Sequence, residues 1–560
     1  MSKRKQVTSY TLVAVLTVVA VVSGGWIARQ ADAAKPDYYL AISRSMSTFG
    51  KVYEEVTKRY VEDVDPEKFM QAGIEGMLNT LDPYTVFIEK EDKSELQIMT
   101  SGKYGGVGMR ISKRDGWPTV AEPPFENTPS EKAGIREGDR IIEVDSMVTK
   151  DLSISETANR LRGKPGTPVQ IKIKRIGEDK PLEFRLIRAE IKVEEITYSG
   201  LINPEVGYIR LAHFSRNVGE QMNREISELK AKGMKKLILD LRGNPGGLLE
   251  SAVEVADNFF PKGTLVVSTK GKFASANREY DARRDPVWGT EPLVVLVDTM
   301  SASASEIVAG AIQDHDRGVI IGNPTFGKGL VQSVVQISND AALKITTAKY
   351  YIPSGRLIQK PNFYNDPNVL LTEALVDSTK IYTTEDGRPV HGSGGIYPDV
   401  TVEKKTLSPI VIEMIMKSMF FNFSLEYTAK HPNISRNFEV DDTILNAYKA
   451  FLKEKKFQYK TEEEDYLQKI EALSKENGYA DKAAPAFAEL QKVIDKKKDS
   501  DFEASVDDIK IYIKSEIAAK LFGTAAKVEA TFNRNPAIQK ALEVLSDDNQ
   551  YATILHTKSK

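Results

Sequence analysis

Leu293-Val294-Val295-Leu296-Val297 is an uninterrupted apolar run, and Ser301-Ala302-Ser303-Ala304-Ser305-Glu306 follows it within a few residues. The run reads as a buried β-strand, the small residues as a turn, and a helical pattern begins near Glu306. Such a turn can hold a hydroxyl out where another molecule reaches it. The helix N-terminus behind it offers unpaired N–H groups and positive potential. An acyl-transfer nucleophile gains from an oxyanion hole in that position. The plainer reading is a cluster of N-cap serines, and this stretch in isolation favours it.

The same texture extends from about 192 to 405, where short apolar strands alternate with helical stretches. This is α/β organisation with loops after strand ends. Leu237-Ile238-Leu239 leads into Asp240-Leu241-Arg242-Gly243-Asn244-Pro245-Gly246-Gly247. The two glycines could aim N–H groups at a developing oxyanion, or could simply turn the chain into a helix near Leu249. Farther on, Gly322-Asn323-Pro324-Thr325-Phe326-Gly327-Lys328-Gly329 satisfies GxxxxGK after Val319-Ile320-Ile321. Two features count against a nucleotide-binding P-loop. Gly329 stands where a magnesium-binding hydroxyl should be, and Leu330 to Ile337 reads as a strand where a helix should follow. Lys328 then remains as a buried amine. Desolvation can lower a lysine pKa by several units, leaving a neutral base able to take a serine proton.

From 101 to 191 the chain reads as strands and glycine turns. Val169, Ile171 and Ile173 alternate, and a turn separates them from Leu182, Phe184 and Leu186. The module opens with Tyr104-Gly105-Gly106-Val107-Gly108-Met109 and continues with Gly138-Asp139-Arg140-Ile141-Ile142. A glycine loop before an edge strand can gather N–H groups around a terminal carboxylate while the edge accepts the peptide as an added strand. The order of these features resembles a PDZ domain, which implies binding of apolar C-terminal tails at Tyr104, Gly105, Gly106, Val107, Gly108 and Met109. The alternative is a small β-domain with no ligand.

Residues 36–100 read as a helical region, either a plain helical domain or a dimerisation arm, so a homo-oligomer is one expectation. Ile42, Met46, Phe49, Tyr53, Val56 and Tyr60 form one stripe, and Asp65-Pro66 starts a second helix. Residues 406–560 are helical, with a stripe through Val506, Ile509, Ile513, Ile517 and Leu521 that reads as ordinary core. Residues 1–35 read as a signal peptide or signal anchor. Lys3, Arg4 and Lys5 precede an uncharged apolar run from Val7 to Ala28, and Ala31-Asp32-Ala33 resembles a cleavage site. The expected location is the cell envelope, extracytoplasmic, with the chain anchored in the inner membrane or secreted.

Composition narrows the chemistry. The 560 residues carry no cysteine, five histidines and a net charge of -2. Cysteine nucleophiles, disulfides, thiolate zinc sites and iron–sulfur clusters are excluded. No histidine pair forms HExxH, so no metal site is expected, and nothing global points to nucleic acid. Apolar residues at 41% suffice for ordinary globular cores.

Taken together, the PDZ-like module, Asn-Pro-Gly-Gly, Ser-Ala-Ser-Ala-Ser-Glu and Thr-Phe-Gly-Lys-Gly stand in the order of the carboxyl-terminal processing proteases, which are tail-specific serine peptidases with a Ser–Lys dyad. The resemblance covers roughly residues 38–405. It implies a multidomain α/β protein whose PDZ domain precedes a crotonase-like ββα-spiral peptidase core. It makes Ser303 the nucleophile, Lys328 the general base and Gln332 the residue that orients the lysine. Ala304 and Gly246 are the implied oxyanion donors, with Gly247 the alternative to Gly246, and Glu306 and Thr325 are supporting residues. If the segment after Lys328 is a strand, residues 328, 330 and 332 share a face and Gln332 can reach the amine. No cofactor, metal or ATP is implied, and the partners are protein or peptide substrates. The family's Pro353-Ser354-Gly355-Arg356 and Gly395-Ile396-Tyr397-Pro398-Asp399 are separated here by a long insertion, roughly 360–390, which either shapes a substrate channel or forms a surface loop, the loop being slightly favoured. A silent PDZ scaffold with a peptidase-like fold is the alternative function, and a Ser–His–Asp hydrolase through His213 or His315 is a third.

Overall fold

The structure is a computed structural model that describes residues 36–89, 102–175, 178–338, 341–361, 380–403 and 406–556. The apolar run 7–28 lies outside these residues. Among the described residues no helix is long and apolar enough to cross a membrane. The chain divides into two compact units at Thr80 and Leu81.

The first unit contains helices Pro36–Arg59 and Pro66–Leu78. Asp65 caps the second by accepting the Glu67 and Lys68 N–H groups, with Pro66 at the first helical position. The Tyr53 hydroxyl donates to Pro66 O at 2.7 Å, and its ring stacks on Phe69. Ile42, Met46 and Tyr60 of the predicted stripe are exposed.

In the second unit, five strands pair antiparallel in the order Ile111–Arg114, Trp117–Val120, Arg140–Val144, Pro168–Lys174 and Leu182–Ile187. Val169, Ile171 and Ile173 point inward onto Val107, Val120, Ile141 and Leu161, as their alternation predicts. Helix Ile154–Leu161 starts on a capping box between Ser153 and Glu156. Strand Lys103–Gly106 pairs with Ala189–Lys192.

The α/β core is built on a six-stranded sheet ordered Ile196–Leu201, Val206–Leu211, Lys236–Asp240, Leu293–Val297, Val319–Gly322 and Val400–Thr401. The first pair is antiparallel and the others are parallel. Strands covered on both faces need apolar residues at every position, which accounts for the uninterrupted runs. Leu237, Leu239, Val295 and Ile320 pack on helices Val218–Ala231, Leu249–Ala256 and Ala304–Asp314. Ile238, Val294, Leu296 and Ile321 pack on Ile538, Ala541, Val544 and Leu545 of helix Pro536–Ser546. Helix Pro536–Ser546 therefore completes the core.

A second sheet is organised around the long strand Ala341–Tyr351, which pairs antiparallel with Val86–Glu89, Leu265–Gly271 and Leu330–Gln336. The helical reading of 36–100 thus gives way to a strand at Val86–Glu89. The helical tail has its own core, where Ile509, Ile513 and Ile517 are fully buried among Ile410, Phe420, Phe423 and Tyr448. This tail also packs on the PDZ-like module. Lys520 and Glu137 form an ion pair with each side chain only 6% exposed. The Phe421 ring lies 3.7 Å from the Arg114 guanidinium and 3.9 Å from the Lys520 ammonium. Burial pushes Lys520 down to about 8 and raises Glu137. Within the 360–390 insertion, Ile381–Thr383 pairs with a strand at Pro389–His391, and 362–379 lie outside the described residues.

Candidate active site

The fully buried strand Leu293–Val297 delivers the chain to Asp298, whose Oδ1 accepts the N–H groups of Met300, Ser301 and Gly243. The three serines that follow then part company. Ser301 Oγ donates to Leu241 O at 2.8 Å, and Ser305 Oγ donates to Asn244 O at 2.9 Å. Both tie this turn to the Asn-Pro-Gly-Gly loop. Ser303 instead lines a cavity of about 520 Å³ that also holds Lys328, Gln332, Gly247 and Tyr350. Its backbone sits at φ 55°, ψ -111°, a strained conformation for a residue with a side chain. Strain of this kind holds a nucleophile out on a sharp strand-to-helix turn.

The Asn-Pro-Gly-Gly loop abuts that turn. A Cβ on Gly246 would lie 2.9 Å from Ser303 Cβ and 2.7 Å from Ala302 O, so only glycine fits. Asn244, fully buried, donates to Leu211 O and accepts the Gly246 N–H at 2.9 Å. The Gly246 N–H is therefore occupied. Among the described residues the N–H groups of Gly247 and Ala304 have no acceptor, and Gly247 is the glycine that lines the cavity.

Glu306, fully buried one turn into the helix, joins the nucleophile turn to the lysine loop. Its Oε2 accepts the Ser303 and Lys328 N–H groups at 2.8 and 2.9 Å. Its Oε1 accepts Thr325 Oγ1 at 2.5 Å and the Gly327 N–H at 2.7 Å. Burial pushes this carboxyl up to about 7, and the four donors restrain the rise. Thr325 Oγ1 also accepts the Ile396 N–H at 2.7 Å. The P-loop reading fails here. The Gly327 and Lys328 N–H groups already face a carboxylate, and strand Leu330–Gln336 follows.

The Lys328 side chain is mostly enclosed, with Nζ 4.6 Å from the centre of the Tyr84 ring. Burial first, and the charge of Lys344 second, push its ammonium down to about 8, while Glu306 and Asp82 oppose the fall. Gln332 shares the cavity, but its Nε2 donates to Thr346 Oγ1 at 3.3 Å. Among the described residues no hydrogen bond joins Gln332 to Lys328. A bulge between Val331 and Gln332 breaks the simple alternation that would align 328, 330 and 332. Neither His213 nor His315 lines the cavity, and His315 bonds to Leu265 O and Glu385.

The Pro-Ser-Gly-Arg and Gly-Ile-Tyr-Pro-Asp segments clamp the far end of helix Ala304–Asp314. Arg356, fully buried, donates to Asp314 Oδ1 and Gln313 Oε1, each at 2.7 Å. Asp399 accepts from Arg388, Gln313 and the Ile320 N–H.

In the PDZ-like module a second cavity, about 330 Å³, lies between 106–111 and helix Ile154–Leu161. Tyr104, Gly106, Val107, Gly108 and Met109 line it, with Phe125, Ala158 and Leu161. Gly105 faces the other way, against Gly163 O. Among the described residues the Val107, Gly108 and Met109 N–H groups have no backbone acceptor. Sequence reasoning missed Asn244, Tyr84, Asp82 and Lys344. Only Asn244 stood in a recognisable motif. Lys344 lines the cavity from strand Ala341–Tyr351, and Asp82 and Tyr84 lie near Lys328 just before strand Val86–Glu89, which leaves no local signal.

Known proteins match this chain over several stretches. A model of peptidase family S41 matches residues 205–369, and a PDZ domain model matches 105–186. The activating protease CtpB N-terminal domain matches 20–92, and the C-terminal helical domain of a probable PDZ-protease matches 410–545. The carboxy-terminal-processing protease of Bartonella bacilliformis is 36% identical over 343 residues, covering 60% of this chain and 78% of that protein. The chain belongs to the carboxy-terminal processing protease family. A Synechocystis carboxyl-terminal-processing protease is also 36% identical, over 324 residues, covering 56% of this chain and 74% of its own length. The solved photosystem II D1 C-terminal processing protease is 27% identical, with 64% of this chain and 93% of that chain covered and a TM-score of 0.35. This protease is accordingly an S41 serine-type peptidase with a PDZ domain before its catalytic domain.

Proposed function

We propose that this protease captures an unstructured C-terminal tail through its 101–191 module and cleaves it in the 192–405 core with a Ser303–Lys328 dyad, without ATP. One observation carries the assignment: a strained serine and a half-buried lysine, pushed down to about 8, line the same cavity. Neutral Lys328 takes the Ser303 hydroxyl proton as Oγ attacks the scissile carbonyl. The Gly247 and Ala304 N–H groups face the developing oxyanion. Collapse transfers the proton from Lys328 to the leaving amine and leaves an acyl-enzyme. Lys328 then deprotonates the water that hydrolyses the ester. Purified Ser303→Ala and Lys328→Ala variants, given an unfolded substrate with an apolar C-terminus, are expected to leave it uncleaved. Normal cleavage by both would remove the dyad.

The acid limb of the pH profile carries a sign. A base whose conjugate acid sits at about 8 is mostly protonated at neutral pH. The kcat/KM of the wild type therefore rises with pH, approaching tenfold per unit well below about 8, and levels above it. A flat profile between pH ~6 and ~9 would contradict a lysine base.

We also place the catalytic part outside the cytoplasm, tethered or released at residues 1–35. The charge-free run from Val7 to Ala28 behind Lys3, Arg4 and Lys5 supports this. Protease accessibility in spheroplasts checks it.

A further inference from the structure

Lys344 stands in the long strand Ala341–Tyr351, paired with Val86 on one side and Val334 on the other. Alternate residues of a strand share a face. Thr346, two residues on, receives the Gln332 amide. Lys344 is turned to the same side and lines the cavity that holds Ser303 and Lys328. It is partly buried, and among the described residues no carboxylate forms an ion pair with it. Two lysines thus line one cavity, and among the described residues the second has no ion-pair partner.

We propose that Lys344 is a positioning residue for tail cleavage: its positive charge in the cavity keeps the Lys328 amine neutral and available as the base. The inference rests on the assignment of Lys328. A cation next to a lysine disfavours the lysine's own charge. The other groups facing Lys328 are Glu306 from its helix, Asp82 and Tyr84 from the segment before Val86, and Tyr350, whose hydroxyl donates to Lys328 O. Glu250 and Arg278 line the cavity farther round. Glu306 and Asp82 favour the charged amine, so Lys344 offsets them. Burial lowers the Lys344 ammonium as well, and Asp82 opposes that fall and helps to keep it charged.

The test is the pH profile of kcat/KM on an internally quenched peptide with an apolar C-terminus, for wild type, K344M, K344Q and K344R. Circular dichroism selects the folded variants, and K344Q stands in where methionine disturbs folding. Loss of the charge is expected to move the acid limb to higher pH by roughly half a unit or more, lowering activity near pH ~7 about threefold. K344R keeps the charge and is expected to restore the wild-type limb, which a merely structural role would not predict. An unmoved limb in the neutral variants overturns the proposal, as does an equal shift in K344R. Lys328→Ala separates the two ideas. Full activity there removes the base itself. An inactive Lys328→Ala beside an unmoved K344M limb removes only the role of Lys344.

Discussion

At Glu306 one carboxylate receives the Ser303, Gly327 and Lys328 N–H groups and the Thr325 hydroxyl. It fixes nucleophile and base relative to one another without touching either functional atom. Replacing it by glutamine puts an amide NH2 against backbone donors. Each buried N–H left without an acceptor costs ~1–3 kcal/mol, so Glu306→Gln is expected to lose about 2–4 kcal/mol in urea unfolding. The kcat should fall with it, because the serine and lysine loops lose their common anchor. Much at this scale was legible. Ser303, Lys328, Glu306 and Thr325 were named through the resemblance of their motifs to the carboxyl-terminal processing proteases. The residues alone, without the resemblance, left other distinctions to the coordinates. Ser301 and Ser305 look equal to Ser303 until their hydrogen bonds take them out of the cavity. Gly246 and Gly247 are told apart only by Asn244. Lys344 lies in an ordinary alternating strand, and register alone turns it toward Lys328.

Among the elements, the strands were the easier part. Runs such as Leu293–Val297 are apolar at every position because both sheet faces are covered. The helices were visible as stripes, but a stripe does not name the surface it covers. Helix Pro536–Ser546 seals the second face of the catalytic sheet, with Ile538 only 1% exposed. Ile538→Ala is expected to cost about 2–4 kcal/mol by equilibrium denaturation, although Ile538 is remote in sequence from every catalytic motif. In the PDZ domain the loop 106–109 depends on Gly108, at φ 83°, where a Cβ would lie 2.3 Å from Thr128. Gly108→Ala is expected to weaken capture of a fluorescent peptide with an apolar C-terminus by roughly tenfold, matching ~1–3 kcal/mol of backbone strain. Unchanged anisotropy titrations would show that this loop does not hold the tail.

Within the large unit, the PDZ domain is held by the helical tail as well as by its own chain connections. Glu137 and Lys520 meet in a nearly dry interface. Removing one partner strands the other charge, so Lys520→Met is expected to destabilise the protein by about 3–5 kcal/mol. The double variant Glu137→Leu with Lys520→Met should recover most of that loss in the same thermal unfolding measurement. This contact was invisible in the sequence, because nearly four hundred residues separate its two sides and neither side has a local pattern.

The helices at Pro536–Ser546 and Asp548–His556 cover a sheet whose first strand begins at Ile196, far earlier in the chain. Until they emerge, Ile238, Val294 and Ile321 lack Ile538, Ala541, Val544 and Leu545 as packing partners on that side. That face of the sheet can close only after the residues from Pro536 onward have left the ribosome. A chain cut short before Pro536 is accordingly born with that face of the sheet unsealed.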